Sequence, residues 1–223
     1  GFKCHDSLIS DQWRKGILEL VNGFRRTVAK GQQLGKDDAK LPTAQYMNQL
    51  TWDCNIEAEA KAAAKNCPSS PTLPTFQAST YKLGYITATG TVKANSCDAS
   101  KTAKNLLTEK WKKAVAGQPN NTVVKNEKVF SQLAHDKVSA FACTYQICQS
   151  TNYYLLCFFN QKAPTKDNVY LADAKPSTFC SNATICNCVD GLCETTPDPG
   201  CPSFSHNMLV ANEKFHQLEL HWS

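Results

Sequence analysis

Imidazoles, thiols and carboxylates are the groups in this chain that could do chemistry, and their spacing sorts them. The five histidines are His5, His135, His206, His216 and His221. His216 and His221 are five apart, which on a helix places them on different faces. Glu213 and His216 are three apart and could share a ligand, but a protein zinc site needs four converging groups and no second pair lies nearby. His135 stands alone behind Phe130-Ser131-Gln132-Leu133-Ala134, and its plain reading is a half-buried polar residue. No Gly-x-Ser-x-Gly elbow favours a serine nucleophile, although a Ser–His–Asp triad meets only in space and is left open here. The twelve cysteines are even in number and can be paired completely, which disfavours a cysteine nucleophile.

Loop carboxylates are the remaining candidates. A hard carboxylate oxygen is what a divalent cation held by a partner protein attracts. Asp37 and Asp38 in Gly35-Lys36-Asp37-Asp38, together with Asp167 and Asp190, fall in turn-like stretches where they could be presented this way. Asp190 lies in Cys188-Val189-Asp190-Gly191-Leu192-Cys193, with a cysteine at each end. Anchored ends would preorganise its carboxylate and reduce the entropy lost on binding. The competing reading of Asp190-Gly191 is a tight turn and nothing more. There is no Arg-Gly-Asp or Lys-Gly-Asp. Asn120-Asn121-Thr122 and Asn182-Ala183-Thr184 fit the N-glycosylation pattern, making Asn120 and Asn182 the acceptors.

The framework that must hold these groups is legible in pattern and composition. Trp13, Ile17, Leu20 or Val21, Phe24 and Val28 predict a helix over about residues 10–31, capped by Ser10 or Asp11. A short helical turn is expected after Pro42, holding Tyr46 and Met47. Asp53 opens a second helix with Ile56, Ala60, Ala63, Ala64 and Cys67 on its buried stripe. Residues 98–116 predict a third, with Ala103, Leu106, Leu107, Trp111 and Ala114 on one side. Tyr81–Val92, Val138–Ile147 and Tyr153–Phe159 predict strands. Helices early and strands late suggest an α+β layered domain. The 223 residues carry a net charge of +5 and 42% hydrophobic residues, with no apolar run near the 18 or so that a membrane helix needs. The lysines are spread apart from Lys110, Lys112 and Lys113, and no basic run is interleaved with aromatics, so nucleic-acid binding is not expected. Twelve cysteines beside two methionines predict an oxidising compartment, up to six disulfides, and secretion. The start at Gly1 fits a mature, processed form. A last helix is expected near Glu213–Leu220.

Several spaced motifs resemble one family. Val21-Asn22-x-x-Arg25 is similar to a His-Asn-x-x-Arg run, with valine for histidine. Trp52-Asp53-Cys54 with Glu57, Ala60 and Cys67 follows. Phe130-Ser131-Gln132-Leu133-Ala134 and Cys143 resemble His-Phe-Thr-Gln-x-x-Trp…Cys. Leu156-Cys157-Phe158-Phe159 resembles Val-Cys-x-Tyr, and Asn168-Val169-Tyr170 with Cys180…Cys186…Gly191-Leu192-Cys193 resembles the hinge after it. In order and spacing the chain resembles the CAP superfamily (SCP/TAPS), nearest its nematode Ancylostoma-secreted branch. The resemblance implies an α–β–α sandwich over residues 1–172, a disulfide-rich hinge over 173–201 and a tail over 202–223. It implies bonds tying Cys54, Cys67, Cys143, Cys148 and Cys157 within the sandwich, and a compact set among Cys180, Cys186, Cys188, Cys193 and Cys201. Seven cysteines, Cys4 and Cys97 included, precede the last five, so complete pairing needs at least one bond between the groups.

Family members often hold a divalent cation in a cleft of two histidines and two glutamates. Here Val129 and Ala114 stand at two of those positions, and the stretch from Cys67 to Cys97 has no histidine. No catalytic residue, metal or cofactor is therefore expected. The resemblance to members that inhibit host cell adhesion implies a host cell-surface partner, platelet integrins of the fibrinogen- and collagen-receptor types, engaged without catalysis. Sterol or lipid carriage near Tyr81–Ile86, and action as an immunomodulatory ligand of leukocyte receptors, are the alternative readings.

Overall fold

Ser10 starts the first helix, its hydroxyl accepting from the Trp13 N–H at 3.1 Å. This helix, α1 (Asp11–Ala29), buries Trp13, Ile17, Val21 and Val28 at helical spacing. The computed structural model describes residues 1–4, 9–74, 82–92, 98–173 and 188–194. Asp53 caps α2 (Cys54–Ala63) and Asp98 caps α3 (Ala99–Ala116), each through its carboxylate. A short α4 (Val129–Leu133) completes the helices among the described residues.

The central sheet holds β2 (Thr51–Trp52), β3 (Gly84–Thr91), β4 (Ala140–Cys148) and β5 (Asn152–Phe159) in the order β2-β4-β5-β3. The three long strands are antiparallel, and only the two-residue β2 runs parallel to its neighbour β4. Along β5 the side chains alternate between two cores. Tyr153, Leu155, Cys157 and Phe159 face the larger core built with α1, α3 and α4. Tyr154, Leu156 and Phe158 face a smaller one with Ile56, Ala60 and Ala64 of α2. Both faces are covered, so β5 reads as an unbroken apolar run. This is the expected α–β–α sandwich.

The helical turn expected after Pro42 is not formed. Thr43–Ala44 is instead a strand, β1, paired antiparallel with β6 (Ala172–Asp173). Gln45 N–H adds a bond to Leu171 O at 2.8 Å, so distant main chain satisfies donors that a local turn would have left open. Among the described residues three disulfides are formed: Cys4–Cys54, Cys67–Cys148 and Cys143–Cys157. The last joins residues directly opposite each other on β4 and β5. The bonds implied for Cys97, Cys180, Cys186 and Cys201, and the helix near Glu213–Leu220, lie outside the described residues.

The motif residues turn out to be fasteners. Asn22 exchanges two hydrogen bonds with the main chain of Leu50, at 3.0 and 2.8 Å. Glu57, buried on α2, takes both arms of Arg14 at 2.7 and 2.6 Å and the Trp52 indole at 2.7 Å. Gln132 accepts from Ala163 N–H and donates to Gln161 O, at 3.0 and 2.8 Å. A Cβ on Gly84 would fall 1.9 Å from Gln132 Oε1, so this strand start must be bare.

Arg25 is fully buried, and its guanidinium donates to five main-chain carbonyls. Nε reaches Asn48 O at 2.9 Å, Nη1 reaches Leu133 O and His135 O at 2.8 and 2.9 Å, and Nη2 reaches Asp136 O and Val138 O at 3.4 and 3.3 Å. Burial pulls its pKa down to about 9, against the opposing charge of Asp136. Asp136 accepts from Leu171 N–H at 3.0 Å and lies 3.4 Å from His135 Nδ1. Burial raises its carboxyl pKa, but the hydrogen bonds from His135 and Leu171, with the charges of His135 and Lys137, hold it below the usual aspartate range.

Two outcomes follow from this cage. Arg25→Met leaves buried carbonyls without donors and is expected to cost more than about 3 kcal/mol. Urea unfolding measures this, and a loss under about 1 kcal/mol contradicts it. A depressed carboxyl contributes stability that is complete above the unfolded value of about 3.9 and is lost as pH falls through its lower folded value. The urea midpoint of the native chain should therefore drop further between about pH 5 and pH 2.5 than that of Asp136→Asn, whereas parallel declines would remove Asp136 from the account.

Candidate recognition surface

The segment 188–193 folds back on itself as β7 (Cys188–Val189) and β8 (Leu192–Cys193), turning at Asp190-Gly191. Both turn residues have positive φ, 51° and 86°, the geometry that a two-residue hairpin turn requires. The tight-turn reading of the dipeptide is therefore correct as far as backbone goes. The Cys193 end of the hairpin is anchored by main chain. Cys193 N–H donates to Met47 O at 2.9 Å, and Cys193 O accepts from Gln49 N–H at 2.7 Å. Leu192 and Cys193 are buried.

The carboxylate of Asp190 is half exposed and engaged within the molecule. Arg26 Nε lies 2.8 Å from Oδ2, and Lys30 Nζ donates to Oδ1. The Lys30 hydrogen bond, helped by the charges of both cations, holds the Asp190 carboxyl below the usual range. Gly191 packs over the stem of Lys30, where a Cβ would meet carbons at 3.2 Å. Arg26 and Lys30 are the functional neighbours that sequence reasoning missed. They are four apart on the last turns of α1, and the only signal was a pair of cations suited to a helix C-terminus.

Asp37 and Asp38 lie on a 3-10 turn, Lys36–Asp38, that follows the end of α1. Their φ angles are 55° and 57°, and that of Asp167 is 65°. All four sequence-proposed aspartates thus sit in the left-handed region that short polar side chains tolerate. All four are exposed. Main-chain bonds join two of these turns, those of Asp37–Asp38 and Asp167, through residues 118–123 into one strip. Lys36 N–H donates to Gln118 O at 2.8 Å, Val123 N–H to Asp167 O at 2.8 Å, and Val169 N–H to Asn121 O at 2.8 Å. Asn120 lies on this strip, exposed, its Oδ1 accepting from Thr122 N–H at 2.8 Å and Thr122 Oγ1–H at 2.6 Å. Asp37, Asp38 and Asp167 form no ion pair among the described residues, in contrast to Asp190. Asn182 lies outside the described residues.

His135 is buried, its Nδ1 3.0 Å from Val169 O. Val129 is partly buried and Ala114 is fully so. Among the described residues no three His, Cys, Asp or Glu side chains come together to hold a metal. Val129 and Ala114, at two of the positions that the family resemblance assigns to cation ligands, carry no donor atom in their side chains. Tyr85 is half buried and packs against the smaller core, and Tyr81 lies outside the described residues.

With this geometry in hand, likeness to known proteins is informative. The profile of the family "CAP: Cysteine-rich secretory protein family" matches residues 18–159. The Ancylostoma secreted protein of Ancylostoma caninum is 28% identical over 214 residues, covering 91% of this chain and 49% of its own length. The crystal structure of Na-ASP-1 superposes with a TM-score of 0.73 at 27% identity, covering 89% of this chain and 49% of that one. The crystal structure of the hookworm platelet inhibitor superposes with a TM-score of 0.59 at 18% identity, covering 86% and 95%, which is a likeness of fold. The chain spans about half the length of the first two relatives. The profile match covers most of the sandwich, and with it the chain belongs to the CAP family of cysteine-rich secretory proteins.

Proposed function

We propose that this chain is a secreted, non-enzymatic protein that binds a host cell-surface receptor and blocks integrin-mediated platelet adhesion. One observation carries the choice of surface. Asp37, Asp38 and Asp167 are exposed, unpaired, and held at fixed left-handed positions on one hydrogen-bonded strip. Carboxylates fixed in this way lose little entropy when a receptor-bound cation takes one of their oxygens. Asp190 contributes differently. Its charge is already answered by Arg26 and Lys30, so a receptor cation would have to displace both. The hairpin serves instead as a rigid neighbour, with the exposed Val189 beside the turn. Secretion is supported by the three disulfides and by the names of the relatives.

Purified platelets adhering to immobilised fibrinogen and to collagen, with and without the protein, test the reading. Inhibition is expected on at least one surface, and no effect on either overturns it. The triple variant Asp37→Asn, Asp38→Asn, Asp167→Asn is expected to weaken inhibition at least about tenfold, and Asp190→Asn less than about threefold, since about 1.4 kcal/mol separates a factor of ten. The reverse ranking would keep the adhesion reading and move the contact to the hairpin. Asn120 is proposed to carry a glycan. Protein secreted from a eukaryotic host should lose mass on N-glycosidase treatment, and Asn120→Gln should reduce that loss. An unchanged intact mass would show Asn120 empty.

A further inference from the structure

Helices α1 and α3 run parallel. Near their starts the Trp13 indole donates to Ala99 O at 3.3 Å, and further along Phe24 stacks on Trp111 with centroids 5.0 Å apart. Between their first turns lies a cleft of about 460 Å³ lined by Ser10, Gln12, Ser100, Lys101, Lys104 and Asn105. Trp13 and Asp98 complete the lining, and the Asp98 carboxylate is occupied in capping α3, accepting from Lys101 N–H at 2.9 Å.

Lys104 is the unusual member. It is half buried, and its side chain lies flat against α1 at Gly16. A Cβ there would come within 2.6 Å of Lys104 Cε and 2.7 Å of Nζ, so the lysine occupies the place of the missing side chain. Neither Lys101 nor Lys104 has a carboxylate partner among the described residues. Two ammonium groups beside one cleft without a carboxylate partner favour an oxyanion, which supplies both charge and acceptors. Apart from the capping carboxylate of Asp98, the rest of the lining is hydroxyl, amide and indole, which suits the hydroxyl groups of a sugar and offers an alkyl chain little.

We propose that this cleft binds a sulfated sugar, with Lys101 and Lys104 on the sulfate and Ser10, Ser100, Gln12 and Asn105 available to the ring hydroxyls. The site is separate from the aspartate strip and needs no part of the adhesion reading. Its volume falls within the roughly 300–1,000 Å³ of small-ligand sites.

Calorimetric titration of the full chain with a heparin-derived tetrasaccharide tests this, with the desulfated tetrasaccharide and phosphatidylserine vesicles as parallel arms. The sulfated sugar should bind, and the desulfated one at least about tenfold more weakly. Lys101→Gln with Lys104→Gln should weaken binding at least about tenfold, and the control pair Lys112→Gln with Lys113→Gln, exposed on the last turns of α3, by less than about twofold. Gly16→Ala keeps every charge, improves helix propensity and pushes Lys104 aside. It should weaken binding at least about threefold without lowering the melting temperature. The proposal is overturned if the sulfated tetrasaccharide does not bind, if the two lysine pairs lose affinity equally, or if Gly16→Ala binds like the native chain. Vesicle binding that depends on Lys101 and Lys104 without sugar binding would also overturn it, by making a lipid phosphate the ligand.

Discussion

One guanidinium, that of Arg25, collects five carbonyls from two separate stretches of chain. Asn48 belongs to the segment that leads into α2, and residues 133–138 belong to the segment that leads into β4. A backbone that leaves a helix or turn exposes carbonyls, and burying them requires donors. A planar group with five N–H donors in a rigid fork can serve several at once, where lysine offers a single rotating point charge. The cost is a desolvated cation, visible in its lowered pKa.

The consequences run outward from that cage. Arg25 fixes Asn48, and the main chain on either side of Asn48 holds Cys193. Cys193 anchors the hairpin whose tip returns to α1 at Arg26 and Lys30, the next residue and the next turn. A single helix therefore grips the interior of the sandwich with one face and the hairpin with the neighbouring face. Phe24, stacked on Trp111, which in turn stacks on Phe130, keeps that helix at fixed distance from α3 and α4. The surface loops rest on a frame in which each piece is held by main-chain bonds from another.

Much of this frame could be read from residue order. Helical periodicity placed α1 and α3 to within about two residues, because each has a cap and an apolar stripe, whereas α2 starts at its Asp53 cap but ends at Ala63, leaving Cys67, expected on its stripe, beyond the helix at a φ of 48°. The two-sided burial of β5 explains why it is continuous apolar chain and still a strand. The motif residues were legible as motifs, but their work was not. Asn22, Arg25, Glu57 and Gln132 hold main chain and neighbours whose positions no local pattern encodes. The β1–β6 pairing and the Asp190–Lys30 contact join residues more than a hundred positions apart, and propensity carries no information over that distance. The aspartates were correctly placed in turns, while their ion-pair status, which separates Asp190 from the other three, depended on the fold.

The three disulfides among the described residues also set how the chain responds to being cut. Cys4–Cys54 closes one loop, and Cys67–Cys148 and Cys143–Cys157 overlap to close a second that runs from residue 67 to residue 157. A single nick inside either loop leaves both new ends covalently attached to the same molecule. The turn at Gln149 and Ser150, with positive φ at both residues, is the kind of exposed tip where proteases act, yet the strands on either side of it are joined by Cys143–Cys157. By these bonds alone, the stretch between the two loops is residues 55–66, most of it the closed hydrogen-bonded turns of α2, which present little extended chain to a protease. A chain clipped at the Gln149–Ser150 turn therefore stays covalently in one piece.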